Sequence, residues 1–201
     1  MSNDVNRRSF FKGTAGVIGA AALGTSSAQA YKGAFDFSKD LVPAGPSSPK
    51  PVRNMATFAA PKMDKIRVGF IGLGMRGPGA VDRIAKIKDV EIVALCDLRK
   101  EKVKRVQKTL AKNGRPAAKE FYGSEDTWKE LVDLDLDLVY IATPWDLHTP
   151  MCLYAMNSGK HAACEVPICT TVEEAWQLTE TSDKTGTHCI MLENCCYDFF
   201  E

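Results

Sequence analysis

The sequence predicts a doubly wound α/β fold, a parallel sheet with helices on both faces, over residues 65 to 196. Three observations predict it. Short apolar runs alternate with amphipathic stretches along that whole span. The first run leads directly into a glycine-rich turn, "GLGMRG", and the second ends on an aspartate, Asp97. The chain has 201 residues, 45% hydrophobic and 25% charged, enough to bury one good core.

Residues 1 to 30 read as an export signal and not as fold. "NRRSFFK" carries Arg7 and Arg8, "GTAGVIGAAALG" is an apolar stretch too short to span a bilayer, and Ala28-Gln29-Ala30 is a small-x-small end that predicts cleavage after Ala30. The alternative is a basic patch before an amphipathic helix, but the order of all three parts fits export. Arg7-Arg8 with Ser9, Phe10 and Lys12 resembles the twin-arginine signal, which implies the twin-arginine export machinery as a partner and a periplasmic destination. Proteins on that route travel folded, so a cytoplasmic nucleotide can be loaded beforehand. Residues 31 to 64 hold five of the ten prolines, show no sustained period, and read as a linker or surface-hugging arm.

From Lys65 the apolar runs are "IRVGFIG", "VEIVALC", "LDLVYIAT", "KHAACEV" and "THCIMLEN". Each is short, several are β-branched, and all are nearly apolar on both faces, as buried parallel strands are. Between them "GAVDRIAKI", residues 99 to 114, "SEDTWKELV", "DLHTPMCLYAMNSG" and "TVEEAWQLTETSDKTG" carry helical periodicity. Ser124 and Thr127 supply a start signal, and Gly114, Gly159 and Gly186 supply stops. A ligand crevice belongs at the carboxyl ends of such strands.

Gly72-Leu73-Gly74-Met75-Arg76-Gly77 is a G-x-G-x-x-G fingerprint that follows the first strand and opens a helix. Gly72 makes the tight turn, Gly74 leaves bare backbone for a pyrophosphate, and Gly77 lets the helix pack closely, with its free N–H groups toward the phosphates. Asp97, about 20 residues on, is placed to accept from the ribose hydroxyls of NAD and to repel the extra phosphate of NADP; its alternative is a turn-capping aspartate. Arg76 pairs with a phosphate or is simply solvated. These residues specify a Rossmann domain with NAD as cofactor.

"IATPWDLHTP" leaves the third apolar run at the same edge. Trp145 there reads equally as site or core. His148 is placed for ligand contact, with a helix-capping role as the alternative. Glu165, two positions before Pro167, reads as the rim of the site or as a turn residue.

Lys65 to Asn194 resembles the N-terminal half of the glucose-fructose oxidoreductase and inositol dehydrogenase (Gfo/Idh/MocA) family, through GLGMRG, Cys96-Asp97, TPWDLH and GKHAACEVP in one order. In most of that family the last segment reads E-K-P, and its lysine takes part in catalysis. Here Glu165 is followed by Val166, which cannot shuttle a proton. That departure, with RRSFFK, TPWDLH and MLENCCYD, resembles glycoside hydrolase family 109, exported bacterial enzymes active on α-N-acetylgalactosaminides. Beside the fingerprint glycines Gly72, Gly74 and Gly77, the resemblance implies NAD contacts at Met75, Arg76, Asp97, Trp145, Asp146, Leu147, His148, Glu165, Val166 and Asn194. It implies a redox-neutral course of oxidation, elimination, hydration and reduction. It also implies that residues 197 to 201 begin an α+β substrate domain, with sugar-binding and acid-base residues expected beyond Glu201.

With 26 basic and 25 acidic side chains, net charge +1, no overall field draws in nucleic acid or an anionic membrane, so a small-molecule partner is expected, and the resemblance implies that it is a glycan. No membrane span is read, and homo-oligomerisation stays open. Seven scattered cysteines show neither zinc spacing nor a disulfide framework; most read as small buried hydrophobes, and no metal site is expected. Two rival readings stand beside the glycosidase: an exported NAD-dependent sugar dehydrogenase, and an NAD-binding module without chemistry of its own.

Overall fold

A computed structural model describes residues 55 to 193. The signal segment, residues 31 to 54 of the arm, Asn194, Cys195 and Cys196 lie outside the described residues. Within them, one fully parallel sheet has the order β3-β2-β1-β4-β5-β6, with β1 Ile66–Ile71, β2 Val90–Cys96, β3 Lys119–Phe121, β4 Leu138–Ile141, β5 His161–Glu165 and β6 Cys189–Leu192. The crossovers are α1 Gly77–Ile84, α2 Lys100–Lys112, α3 Thr127–Val132, α4 His148–Asn157 and α5 Val172–Thr185. The chain winds outward from β1 through β2 to β3, then restarts at β4 on the other side. That reversal opens a crevice between the carboxyl ends of β1 and β4.

Strand alternation sorts the core onto two faces. Val68, Phe70, Leu95 and Tyr140 face one way, packed with Ala80 and Val81 of α1 and Val103, Val106 and Leu110 of α2. Ile71, Cys96, Val139, Ile141 and Cys164 face the other way, against Leu131 and Val132 of α3, Met151 and Met156 of α4 and Leu178 of α5. The spacing 103, 106, 110 is the i, i+3, i+7 stripe that turns α2 inward. Gly69 lies between these layers, where a Cβ would come within 2.7 Å of both Leu131 Cδ2 and Leu136 Cδ1. Its missing side chain lets those leucines rest directly on β1.

The structure differs from the sequence reading in four places. The sheet has a sixth strand, β3, three residues long and running "KEF"; it pairs Lys119, Glu120 and Phe121 with Ala94, Leu95 and Cys96 at the edge. β6 is not covered on both faces, since Ile190 and Met191 are exposed at the opposite edge. α3 starts at Thr127 after Asp126, which makes no side-chain cap, while Ser124 Oγ instead accepts from the Asp126 N–H at 3.3 Å. α5 opens on a capping box that the sequence reading passed over: the Glu174 N–H donates to Thr171 Oγ1 (3.2 Å), and Glu174 Oε2 accepts from the Thr171 N–H (3.0 Å). Gly186, with φ of 67°, ends that helix as expected.

At the amino end of the sheet, Asp137 locks β4 to β1. It accepts from the Arg67 backbone N–H at 2.8 Å and from the guanidinium at 2.8 Å (Nη2) and 3.1 Å (Nε), while Asp135 takes the remaining arm. Arg67 holds the Asp137 carboxyl below its ordinary value of 3.8. A depressed folded value stabilises the protein above the unfolded pKa, and the contribution is lost as pH falls through the folded one. Asp137→Asn should therefore lower the melting temperature at neutral pH and show a smaller further drop than wild type below about pH 4, which acid-titrated thermal melts read directly.

Candidate cofactor-binding site

β1 runs into the glycine loop at a position only glycine can hold. Gly72 has φ of 90°, and a Cβ there would sit 2.4 Å from the Ala142 carbonyl oxygen. Its N–H donates to Cys96 O at 2.9 Å, joining the loop to the end of β2. Gly77 is constrained by space, because a Cβ would lie 2.1 Å from Gly72 O. Gly74 is the opposite case: nothing lies nearer to its Cβ position than Lys102 Nζ at 3.9 Å, so the backbone is bare toward the crevice. Met75 is 97% exposed, and Arg76 is exposed and stands at the N-cap of α1. α1 has no side-chain cap and no acidic residue in its first turn. Its N-terminal N–H groups and dipole are therefore available to an anion, and the cradle fits a pyrophosphate.

Asp97, 8% exposed at the end of β2, accepts from the Leu73 N–H (2.8 Å, Oδ2) and from the Arg99 N–H (3.0 Å, Oδ1). The capping role weighed for it is present, and it reaches across to the glycine loop as well. Arg105 on α2 completes the clamp, its Nη2 donating to Leu73 O (3.2 Å) and Gly74 O (3.3 Å). The loop's N–H is thus held by a carboxylate and its carbonyls by a guanidinium. Lys102 Nζ stands 3.6 Å from Asp97 Oδ2. Sequence reasoning missed Arg105 and Lys102; their only signal was a pair of cations three apart in the first turns of the helix after Asp97. Cys96 beside them is an inert thiol, pushed up to about 12 by burial and then by the Asp97 charge.

Across the crevice, Ala142 N–H donates to Ile71 O at 2.8 Å before the chain turns out through Pro144 into a single 3₁₀ turn, Trp145–Leu147. Trp145 is 64% exposed, so it belongs to the surface at the sheet's ligand edge and not to the core. Asp146 and Leu147 are exposed beside it. His148 is different: it is 1% exposed, with Nδ1 2.7 Å from Pro167 O and Nε2 2.8 Å from Thr143 O. Both ring nitrogens face the protein's own carbonyls. With Thr149 Oγ1 donating to Ile168 O (3.1 Å), His148 ties the loop after β4 to the loop after β5.

Glu165 ends β5 half-buried, its Oε1 accepting from Tyr140 OH at 2.8 Å. Val166 and Pro167 follow, also half-buried, joined by a cis peptide bond. The structure therefore gathers the two loops, Trp145 to His148 and Glu165-Val166, at the β4–β5 end of the crevice, and the glycine loop with Asp97 at the β1–β2 end. That is the two-ended layout a dinucleotide needs. No group of three or more His, Cys, Asp or Glu that could hold a metal occurs among the described residues. The five described cysteines are free, and no described helix is long and apolar enough to cross a membrane.

A family profile described as "Oxidoreductase family, NAD-binding Rossmann fold" (GFO_IDH_MocA) matches residues 66 to 193, and a twin-arginine translocation signal profile matches residues 4 to 24. The chain is 54% identical over 160 residues to a glycosyl hydrolase family 109 protein of Porphyromonas gingivalis, covering 79% of this chain and 34% of the relative. It is 51% identical over 178 residues to glycosyl hydrolase family 109 protein 1 of Bacteroides thetaiotaomicron, covering 88% and 38%. The chain thus spans about a third of the length of these curated relatives. Among solved structures, scyllo-inositol dehydrogenase from Lactobacillus casei with bound NAD(H) and scyllo-inositol shares the fold, with a TM-score of 0.55 at 23% identity over 63% of this chain and 36% of that one.

Proposed function

The chain belongs to the Gfo/Idh/MocA oxidoreductase family, and from that premise we propose that it is the NAD-binding part of an exported glycoside hydrolase acting on terminal α-N-acetylgalactosamine. The observation that carries the glycosidase reading is Val166, half-buried next to Glu165 at the β4–β5 end of the crevice. A valine there neither takes nor gives a proton, which counts against alcohol oxidation as a net reaction. Relatives that are more than half identical and named for family 109 support the same reading.

When bound, NAD supplies reversible oxidation of the sugar, which acidifies the neighbouring C–H and permits elimination, hydration and restoration with no net redox change. The protein's own contribution is position and electrostatics. The uncapped start of α1 and the bare Gly74 backbone seat the pyrophosphate, with Met75 and Arg76 at the loop's open side. Asp97 accepts from the ribose hydroxyls, and Trp145, Asp146, Leu147, Glu165 and Val166 line the nicotinamide end. His148 holds the two loops that carry them. Asn194 joins this set by family resemblance.

The decisive experiment turns over an aryl α-N-acetylgalactosaminide with full-length protein in heavy water. The proposal expects product carrying deuterium at C2 and no net build-up of reduced cofactor. Steady accumulation of NADH, with a keto-sugar product, would move the protein to the dehydrogenases, the reading that the family's oxidoreductase name favours. NAD binding with neither product would leave a binding module.

The twin-arginine match supports export of the folded, NAD-loaded protein to the periplasm, with cleavage after Ala30. Replacing Arg7 and Arg8 together by lysine should hold the precursor in the cytoplasm, which cell fractionation reads. Normal periplasmic delivery of the double variant would point to the general secretory route.

A further inference from the structure

Tyr140, the hydrogen-bond partner of Glu165, has no task in the cofactor reading. Tyr140 is buried in β4 and stacks on Phe70, with ring centroids 5.0 Å apart. A phenol so placed needs a partner for its hydroxyl, and the partner is a carboxylate: Tyr140 OH donates to Glu165 Oε1 at 2.8 Å. Burial, and then Glu165 itself, push the Tyr140 hydroxyl up from its ordinary value, so it remains a donor at any physiological pH.

The placement of the pair gives it meaning. Tyr140 is registered opposite Ala163 on β5, so Glu165, two residues on, projects from the same face at the strand's carboxyl end. The pyrophosphate cradle and Asp97 fix the adenosine half over β1 and β2, which leaves the nicotinamide half over β4 and β5. The next residue, Val166, brings no cation. Arg83 on α1 is the cation that acts on Tyr140, through its charge and through a side-chain hydrogen bond, so it offsets part of the charge of the Tyr140–Glu165 pair. Glu165 is bonded through Oε1 to a neutral hydroxyl and stands at the carboxyl end of β5, so the part of its charge that Arg83 does not offset acts at the ring end of the crevice.

We propose that Tyr140 is a positioning residue which, by donating to Glu165, aims that carboxylate at the nicotinamide ring and makes this site favour the oxidised, positively charged form of NAD. The inference rests on the NAD reading above. A site that must begin and end each turnover with oxidised cofactor gains from such a preference, whereas a dehydrogenase that releases NADH does not need one.

The test is calorimetric titration of cofactor-stripped full-length protein with NAD⁺, NADH and ADP-ribose, for wild type, Glu165→Gln and Tyr140→Phe. Both substitutions keep shape and remove only a charge or a hydroxyl. Wild type should bind NAD⁺ about tenfold or more tightly than NADH, the scale of one charge-assisted contact. Glu165→Gln should lose about tenfold for NAD⁺ while NADH and ADP-ribose change by less than about threefold, and Tyr140→Phe should shift the NAD⁺-to-NADH ratio the same way by about threefold. Equal losses for all three ligands would make the pair a purely structural one and overturn the proposal, as would an unchanged ratio. Wild type that binds none of the three would overturn the NAD reading itself, a different failure from the other two.

Discussion

Gly77→Ala should strongly destabilise the domain, whereas Gly74→Ala should leave it stable and weaken its hold on the cofactor. A methyl group on Gly77 would sit 2.1 Å from Gly72 O, on backbone that Gly72 cannot move because its own Cβ direction is blocked by Ala142 O. Relief requires α1 to lift off β1, exposing Ala80 and Val81, both buried against Phe70 and Leu95. Overpacking costs about 1 to 3 kcal/mol and more where backbone itself is struck, a large share of a typical total of about 5 to 15 kcal/mol. Gly74 meets no atom nearer than 3.9 Å and carries no positive φ, so alanine there should change stability by less than about 1 kcal/mol. The same methyl would stand where the pyrophosphate approaches, and NAD affinity should fall by about thirtyfold or more. Urea unfolding separates the two variants in stability, and calorimetry separates them in binding. Gly74→Ala that binds NAD like wild type would show that the phosphates do not cross that backbone.

How far these roles were legible in the sequence depends on whether they are local. GLGMRG followed by Asp97 is a local pattern whose residues must fall where they do, and the structure joins that loop to Asp97 at the ends of β1 and β2. The five apolar runs all became strands, four of them buried in the sheet as such runs are, while β6 at the edge kept the pattern although Ile190 and Met191 are exposed. β3 escaped because an edge strand of three residues with two charges needs no apolar pattern; its pairing to β2 is made by backbone. His148 shows a different limit. Its position at a strand exit was readable, but ring orientation is set by the carbonyls of Thr143 and Pro167, the latter 19 residues away. The clamp of Arg105 on the glycine loop and the Tyr140–Glu165 pair are likewise contacts across 31 or 32 and 25 residues, which no periodicity encodes. Local chemistry names the site, and the sheet order decides which distant side chains serve it.

Asp97 carries the last large expected effect, a preference for NAD over NADP that exceeds about tenfold and vanishes on substitution by asparagine. Its two oxygens each accept one backbone N–H, from Leu73 and Arg99, and an ionised carboxylate has about four acceptor sites in all. The remaining sites suit ribose hydroxyls, which donate, and repel a 2′-phosphate, which cannot. Lys102, 3.6 Å from Oδ2, offsets part of that negative charge, so the preference is bounded and not absolute. Asparagine would set an amide N–H against the N–H of Leu73 or Arg99, leaving one loop donor without an acceptor and removing the charge together. Asp97→Asn should therefore lose about tenfold or more in NAD affinity and bind both nucleotides comparably. Its glycine loop, released on one side while Arg105 still holds the other, should also open more readily, which amide exchange at Leu73 reads. If wild type binds the two nucleotides equally and Asp97→Asn merely destabilises the loop, then Asp97 acts only as the turn cap that its bond to Arg99 already makes it.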